Sequence, residues 1–389
     1  MGEWPRPKNW SMSKPAIRIE AVPVDDLEGF AQRAQRDPGI LPITPRRARA
    51  HAANPNAEKD EIALLVAYDG DRCIGYLGIM AGVLLANGEV QRMHWFSSWY
   101  VDPLHAKSGA GTMLLMRAIG LKYDLAVTGT SPEADEMYRA MRFKEIGPLK
   151  YDEVFLDVLD PLGFPFFAIG KWLEKRGKTP AIPYRIANAL RPIMQPTLKR
   201  IAYALARPKT GLVTASSRSA AFDWPLNSDS PPHFHRDTST VRWTIDHPWF
   251  TEDESDTIDG YYFGDFRPLF RYHVVNLERD KEVVGSAVIS ASRKAGRTTV
   301  KVLDHWITHD EARATMVAHV LEIASNHNAD RILFPGEFGV DLRRITLLGR
   351  ITFTRTRNYF CRPRKKDSVL TPILDQIELQ FTDGDCAFS

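Results

Sequence analysis

Residues 100–119 read YVDPLHAKSGAGTMLLMRAI. A strand-like tail and a proline lead into a run of small residues, and an apolar helix follows. Gly109 and Gly111, on either side of Ala110, clear side chains from the path of the backbone, so the chain can approach another group closely. The first amides of a helix have no partner one turn back and carry the positive end of the helix dipole. The string Lys107, Ser108, Gly109, Ala110, Gly111, Thr112 therefore offers successive N–H donors, with one lysine charge, to an anion such as a phosphate. The same string also serves as a plain strand-to-helix turn, and its neighbours decide between the two readings.

Working outward, the first part of the chain alternates strand and helix signals. AIRIEAV (16–22) reads as a strand, and DDLEGFAQRAQRD (25–37) as a helix with an acidic first turn. TPRRARAHAANP (44–55) follows as a short basic helix after a Thr-Pro start. Two strands then flank an Asp-Gly-Asp turn at 69–71, and EVQRMHWFSSWYV (89–101) is a third, long strand. Past the glycine loop and its helix come a short strand at 125–130, a helix opened by Ser131-Pro132-Glu133, and a strand over 144–156. From Arg236 the same order returns: hairpin, long strand, helix, short strand, helix, strand. The fold expected is α/β, a mixed sheet with helices on its faces, in two tandem domains. The divisions are an extension at 1–16, a first domain at 17–158, a basic and proline-rich connection at 159–235, and a second domain at 236–389.

Composition supports this frame. At 389 residues the chain exceeds one ordinary core, and 44% hydrophobic with 25% charged residues describes a soluble globular protein. A net charge of +3 gives no ground for expecting nucleic acid. Cys73, Cys361 and Cys386 lie far apart and form no CxxC pair, which fits a reducing cytoplasm and supplies no metal framework. No stretch approaches the roughly 18 apolar residues of a membrane-spanning helix, the first residues have no signal-peptide core, and Arg6 breaks the myristoylation pattern. The expected location is cytoplasmic. One stretch adds peripheral membrane contact to that expectation: residues 161–210 hold ten basic residues and one acidic, Glu174. Over 171–209 apolar and basic positions interleave, broken by Pro192 and Pro196. That pattern suits an anionic membrane surface, an acidic acyl carrier, or a helix packed on the two domains with its charges solvated.

Two further elements give the glycine loop a context. Val101-Asp102-Pro103 ends the long strand, Ala106-Lys107-Ser108-Gly109-Ala110-Gly111 follows, and Tyr138-Arg139-Ala140-Met141-Arg142-Phe143 closes the next helix. In order and spacing, residues 17–158 resemble the GNAT superfamily of N-acyltransferases. The family has Val-x-Pro, Gln/Arg-x-x-Gly-x-Gly/Ala and Tyr-x-x-x-Gly-Phe at these places; here Ala106 replaces the Gln or Arg, and Arg142 replaces the glycine before Phe143. The resemblance implies that Lys107, Ser108, Gly109, Ala110, Gly111 and Thr112 cradle the pyrophosphate of acetyl-CoA or another acyl-CoA. It also implies that the long strand splays from its neighbour to pair with the pantetheine arm, so that Val101 lies near the thioester. The second half has the same element order without the loop, with Glu311 where phosphate would be repelled, and resembles a degenerate GNAT domain. The stretch RDTSTVRWTIDHPWF (236–250) bears a weaker likeness to GNAT-like proteins of cell-surface polysaccharide clusters.

The family's reaction needs an amine without its proton and a thiolate that leaves easily. The resemblance implies that Tyr138 protonates the departing sulfur; the alternative is an aromatic side chain packed on the helix's inner face. A straight strand places Trp99, Ser97 and Trp95 on the face of Val101, whereas a bulge brings Ser98, Phe96 and His94 there. His94 is then the titrating candidate for the base, against a packed core histidine. Asp304-His305, just before the second half's helix, is the other candidate, against a surface pair at a strand end. Trp95 and Trp99 suit a flat acceptor such as a sugar ring and equally suit a core. The expected activity is acyl transfer from CoA to the primary amine of a small molecule or amino sugar. The alternatives are a GNAT-fold binding protein without catalysis and a Fem-type aminoacyl transferase.

Overall fold

The computed structural model describes residues 17–156 other than Asn87, scattered positions between 166 and 216, and 231–388 other than His235, Ile345, Lys366, Asp367 and Val369. Its first strands follow the apolar runs: β1 (Arg18–Pro23), β2 (Ile62–Asp69), β3 (Arg72–Ala86) and β4 (Glu89–Val101) form an antiparallel meander. Between β1 and β2 lie α1 (Leu27–Ala34) and α2 (Pro45–Ala52). Thr44 starts α2 by accepting the Arg47 N–H at 3.3 Å, with Pro45 in the first turn where no N–H is needed. After β4 come α3 (Ala110–Gly120), β5 (Leu125–Thr128), α4 (Pro132–Ala140) and β6 (Lys144–Phe155). Short strands β7 (Thr214–Ser216) and β8 (His233–Phe234) precede α5 (Thr238–Asp246), capped by Asp237.

The second half then runs β9 (Phe270–Arg279), β10 (Glu282–Lys294), β11 (Arg297–Ile307), α6 (Asp310–Asn326), β12 (Arg331–Pro335), α7 (Gly339–Arg344), α8 (Thr346–Arg350) and β13 (Thr352–Arg362). The order repeats that of the first half. Among the described residues the thirteen strands join one mixed sheet, in the order β1-β2-β3-β4-β5-β13-β6-β12-β11-β10-β9-β7, with β8 on β3. The closing strands are exchanged. β13 pairs with β5, setting Phe360 opposite Val127, while β6 pairs with β12, setting Val154 opposite Ile332. β6 and β13 also pair with each other, antiparallel, at the centre of the sheet. Each half thus covers the open edge of the other, which leaves neither β5 nor β12 exposed.

The core follows the same sharing. α3 lays Ala110, Leu114, Leu115 and Ala118 on Leu77, Phe96 and Val127, each fully buried leucine contributing roughly 1.5–3 kcal/mol. α6 lays Met316, Val320 and Leu321 on Val300, Val302 and Ile332 in the same way. On the opposite face of the central strands, Met80 and Trp95 of the first half pack with Phe234, Trp243, Phe381 and Phe388. Trp243 also donates its indole N–H to the Ala50 carbonyl at 2.6 Å. No helix among the described residues is long and apolar enough to cross a membrane. Most of the basic stretch 171–209 lies outside the described residues.

Candidate active site

At the mouth of α3, the Asp102 carboxylate accepts the Leu104 N–H at 2.9 Å and fixes the turn that leads into the glycine loop. Gly109, the residue before α3, has φ +88, a conformation glycine reaches without penalty. Ala110 N–H bonds to Ser108 Oγ at 3.2 Å, and Met113 N–H is the next to bond back, to Gly109 O at 3.0 Å. The Gly111 and Thr112 amides between them have no such bond among the described residues and face an outside acceptor. Gly111 lies on β4, where an added Cβ would sit 3.5 Å from Trp99 and from Val101. Lys107, Ser108 and Gly109 are exposed. Loop, helix end and strand tip thus form one surface, with donors and a positive charge at its rim.

β4 and β5 run parallel for one short contact, His94 opposite Leu125 and Trp95 opposite Ala126, and then part. The cause is written into β4. Its register against β3 slips between Tyr76 and Gly78, opposite Ser98, whose φ is +59. A non-glycine residue held there costs on the order of 1–3 kcal/mol, and here the Arg47 guanidinium hydrogen-bonds to Ser98 Oγ. Beyond the bulge, Trp99 and Val101 face the same core as Phe96. Of the two strand readings, the bulged one is therefore observed for Phe96. Ser98 itself instead turns towards α2. Ser97 packs against Gly78, where an added Cβ would sit 2.6 Å from its Oγ, and Trp95 faces the opposite core.

Tyr138 of α4 lies in the gap beneath this strand, its ring 5.8 Å from Trp99, 6.2 Å from Phe96 and 6.3 Å from Phe360 of β13. Burial, and secondarily the Asp385 charge, pushes its phenol well above the ordinary range, so it stays protonated. Arg142 stands where the motif has glycine, and it adopts φ +65, the conformation that glycine would supply. His94 sits at the paired end of the gap. Its Nε2 is 3.0 Å from Glu61 Oε1, and its ring stacks on Tyr123 at 3.9 Å. Burial alone would raise the Glu61 carboxyl, but the His94 hydrogen bond and the Arg92 charge bring it down to about 2.

Asp304 accepts the His305 backbone N–H at 2.8 Å, but the two side chains do not pair with each other. Asp304 binds the Arg236 guanidinium at 2.8 Å and accepts the Thr382 hydroxyl at 2.7 Å, while His305 bonds to Glu337. Arg236 also bonds to Asp383 at 2.6 Å, so Asp304 helps anchor the last residues of the chain. Four side chains without a local signal in the sequence cluster on this side of the sheet: Arg47 lies over Tyr261, Arg357 bonds to Thr128 at the tip of β5, and Asp385 feels the charges of both arginines. Arg47 is buried under Trp249, 3.7 Å from its ring, and lies 5.3 Å from the Tyr261 ring. Tyr261 and Tyr262 come from the second half and stack on Tyr76 and Tyr100 at 6.0 and 4.0 Å. An arginine in a basic helix and tyrosines in a loop carry no local signal of this meeting.

No family model matches the sequence, and no curated protein matches it. Among solved structures the chain is similar to a GCN5-related N-acetyltransferase from Anabaena variabilis, at 8% identity over 90% of this chain and 73% of that one, with a TM-score of 0.49. It is similar to Eis1 from Mycobacterium abscessus at 14% identity over 89% and 73%, TM-score 0.44. The Saccharomyces cerevisiae N-myristoyltransferase with bound myristoyl-CoA matches at 10% identity over 97% and 87%, TM-score 0.49.

Proposed function

We propose that the protein is a GNAT-type N-acyltransferase that takes an acyl group from a CoA thioester and passes it to an amine. The observation that carries this reading is the gap opened by the Ser98 bulge. In this reading the Gly111 and Thr112 amides, without a backbone partner among the described residues, serve one end of the gap, and the protonated phenol of Tyr138, buried beside Trp99 and Phe96, serves the other. The residues present fit the group. Lys107 and the amides of Gly111 and Thr112 would hold the pyrophosphate, and the β4 edge beyond Phe96, free of β5, would take the amides of the pantetheine arm. The thioester supplies an activated carbonyl and a sulfur leaving group.

The chain's own part is positioning and proton movement. Tyr138 gives its phenolic proton to sulfur as the C–S bond breaks, and the low-dielectric aromatic surroundings of Phe96, Trp99 and Phe360 keep that proton in place beforehand. Tyr261, Tyr262, Trp249 and Phe388 wall the opposite side with residues from the second half, which would complete the acceptor pocket. That wall suits an amine on a flat, partly apolar body such as an amino sugar. In this reading Asp304 and His305 contribute by holding the second half in place. Tyr138→Phe keeps the ring and removes the proton donor. Thiol release from acetyl-CoA and longer acyl-CoA donors, over a panel of amino sugars, amino acids and polyamines, is expected to fall about 100-fold with coenzyme A affinity unchanged. Unchanged turnover in this variant would make Tyr138 a packing residue; thiol release at the uncatalysed rate from the native protein, across the whole panel, would favour a binding protein.

A further inference from the structure

The last turn of the chain, Gly384–Phe388, lies on β4 and β5 where the two strands part. Its placement is tightly specified. Gly384 has φ +72, and a Cβ there would lie 2.9 Å from the Trp95 ring and 3.1 Å from the Thr128 methyl, so glycine alone fits the wedge. At the other end Phe388 stacks on Trp249 at 4.1 Å and an interplanar angle of 7°, and Trp249 in turn carries the Arg47 guanidinium. Just before the turn, Asp383 is held by Arg236 at 2.6 Å, and its second oxygen accepts the Gln380 N–H at 2.7 Å. Between these fixed points stands Asp385, partly exposed.

The cations acting on Asp385 come from three elements, β13, α2 and β11. Arg357 of β13, which also donates to Thr128 Oγ1 at 3.0 Å, is the strongest cation; Arg47 of α2 and Lys301 of β11 follow. Its negative charge is in turn felt by Tyr138 of α4 and by Tyr261. The wedge of Gly384 between Trp95 of β4 and Thr128 of β5 sets the next residue, Asp385, at the parting of the two strands, beside the proposed acceptor wall.

We propose that the Asp385 carboxylate, delivered to the β4–β5 gap by the C-terminal turn, is the base that takes the proton from the acceptor ammonium. This rests on the acyl-CoA reading above. Asp385 takes one proton from the ammonium, and the freed nitrogen lone pair forms the C–N bond at the thioester carbonyl. As the C–S bond breaks, sulfur takes the Tyr138 proton, and Tyr138 regains one from the new amide nitrogen. Asp385 then releases its proton to solvent. Burial raises the Asp385 carboxyl above the ordinary carboxylate range while Arg357 and Arg47 pull it back, which leaves it a stronger base than an exposed aspartate.

The test pairs Asp385→Asn with Asp385→Glu in the full chain and reads two quantities: the rise in melting temperature with coenzyme A, and thiol release from acetyl-CoA with two nucleophiles. One nucleophile is the best primary amine of the panel, protonated at neutral pH; the other is hydroxylamine, already uncharged there. Asp385→Asn is expected to keep the coenzyme A shift, to lose about 100-fold or more with the amine and the acid limb of its pH profile, and to lose far less with hydroxylamine. Asp385→Glu is expected to recover part of the amine rate. Equal losses with both nucleophiles, or unchanged turnover, would overturn the assignment of the base and leave the donor site standing. An absent coenzyme A shift in the native protein would overturn the acyl-CoA reading, and the base with it.

Discussion

His51, on the buried side of α2, stacks on Trp249 at 5.4 Å, and burial, followed by the Arg47 charge, pushes its pKa down to about 3 from an ordinary 6.5. The folded protein therefore refuses a proton that the unfolded chain accepts as the pH falls from 6.5 towards 3, and the His51 contribution to stability declines through that window. His273, lowered to about 4 by burial and by His327, acts in the same direction. Glu61, held near 2 against an ordinary 4.5, adds its loss only below about pH 4.5. Above pH 5 the loss comes from the histidines, offset in part by Asp383, whose carboxyl burial pushes up to about 6. His51→Gln replaces an imidazole that must stay neutral with an amide that always is, so its stability by denaturant titration should fall less steeply than the native protein's between pH 7 and 5. Equal slopes would show that His51 is not held neutral by the fold.

At the scale of elements, the exchanged strands make each half incomplete alone. β13 supplies the strand beside β5 and brings Phe360 to Tyr138, while β6 leaves the first half's segment to pair with β12. A fragment of residues 1–160 would expose the β5 edge and strand β6 without its partner. It should show no cooperative unfolding transition and no stabilisation by coenzyme A, and a folded fragment with full coenzyme A binding would contradict the shared sheet. The hairpin of β2 and β3, the long β4, and α3 with its glycine loop were legible because their signals are local: alternation, Asp-Gly-Asp, and Gly-Ala-Gly before an apolar run. The exchange was not. Lys144–Phe155 and Thr352–Arg362 are similar half-buried strands, and nothing in their patterns says which edge each covers. The Ser98 bulge stood between, since the sequence allowed both faces and only the slip opposite Tyr76 and Gly78 chooses.

At the scale of the whole molecule, the site is assembled from parts far apart in sequence. In the proposed reading the donor end lies within residues 101–112, the stretch that one motif makes legible. The proposed acceptor end draws on Arg47, Tyr261, Arg357 and Asp385, and the ion pairs of Arg236 with Asp304 and Asp383 hold the turn that carries Asp385, a convergence that spacing along the chain does not encode. Breaking such a buried set by removing one partner typically costs about 3–5 kcal/mol, which is why Asp304 reads as an anchor. Whether the mouth of α3 holds a CoA pyrophosphate is decided by isothermal titration with coenzyme A on the native protein and on Gly111→Glu. Gly111 has room for a side chain at ordinary contact with Trp99 and Val101, so the variant should fold while placing a carboxylate among the phosphate-binding amides. The native protein should bind coenzyme A, and Gly111→Glu, with its melting temperature little changed, should not; equal binding by both proteins would contradict the site.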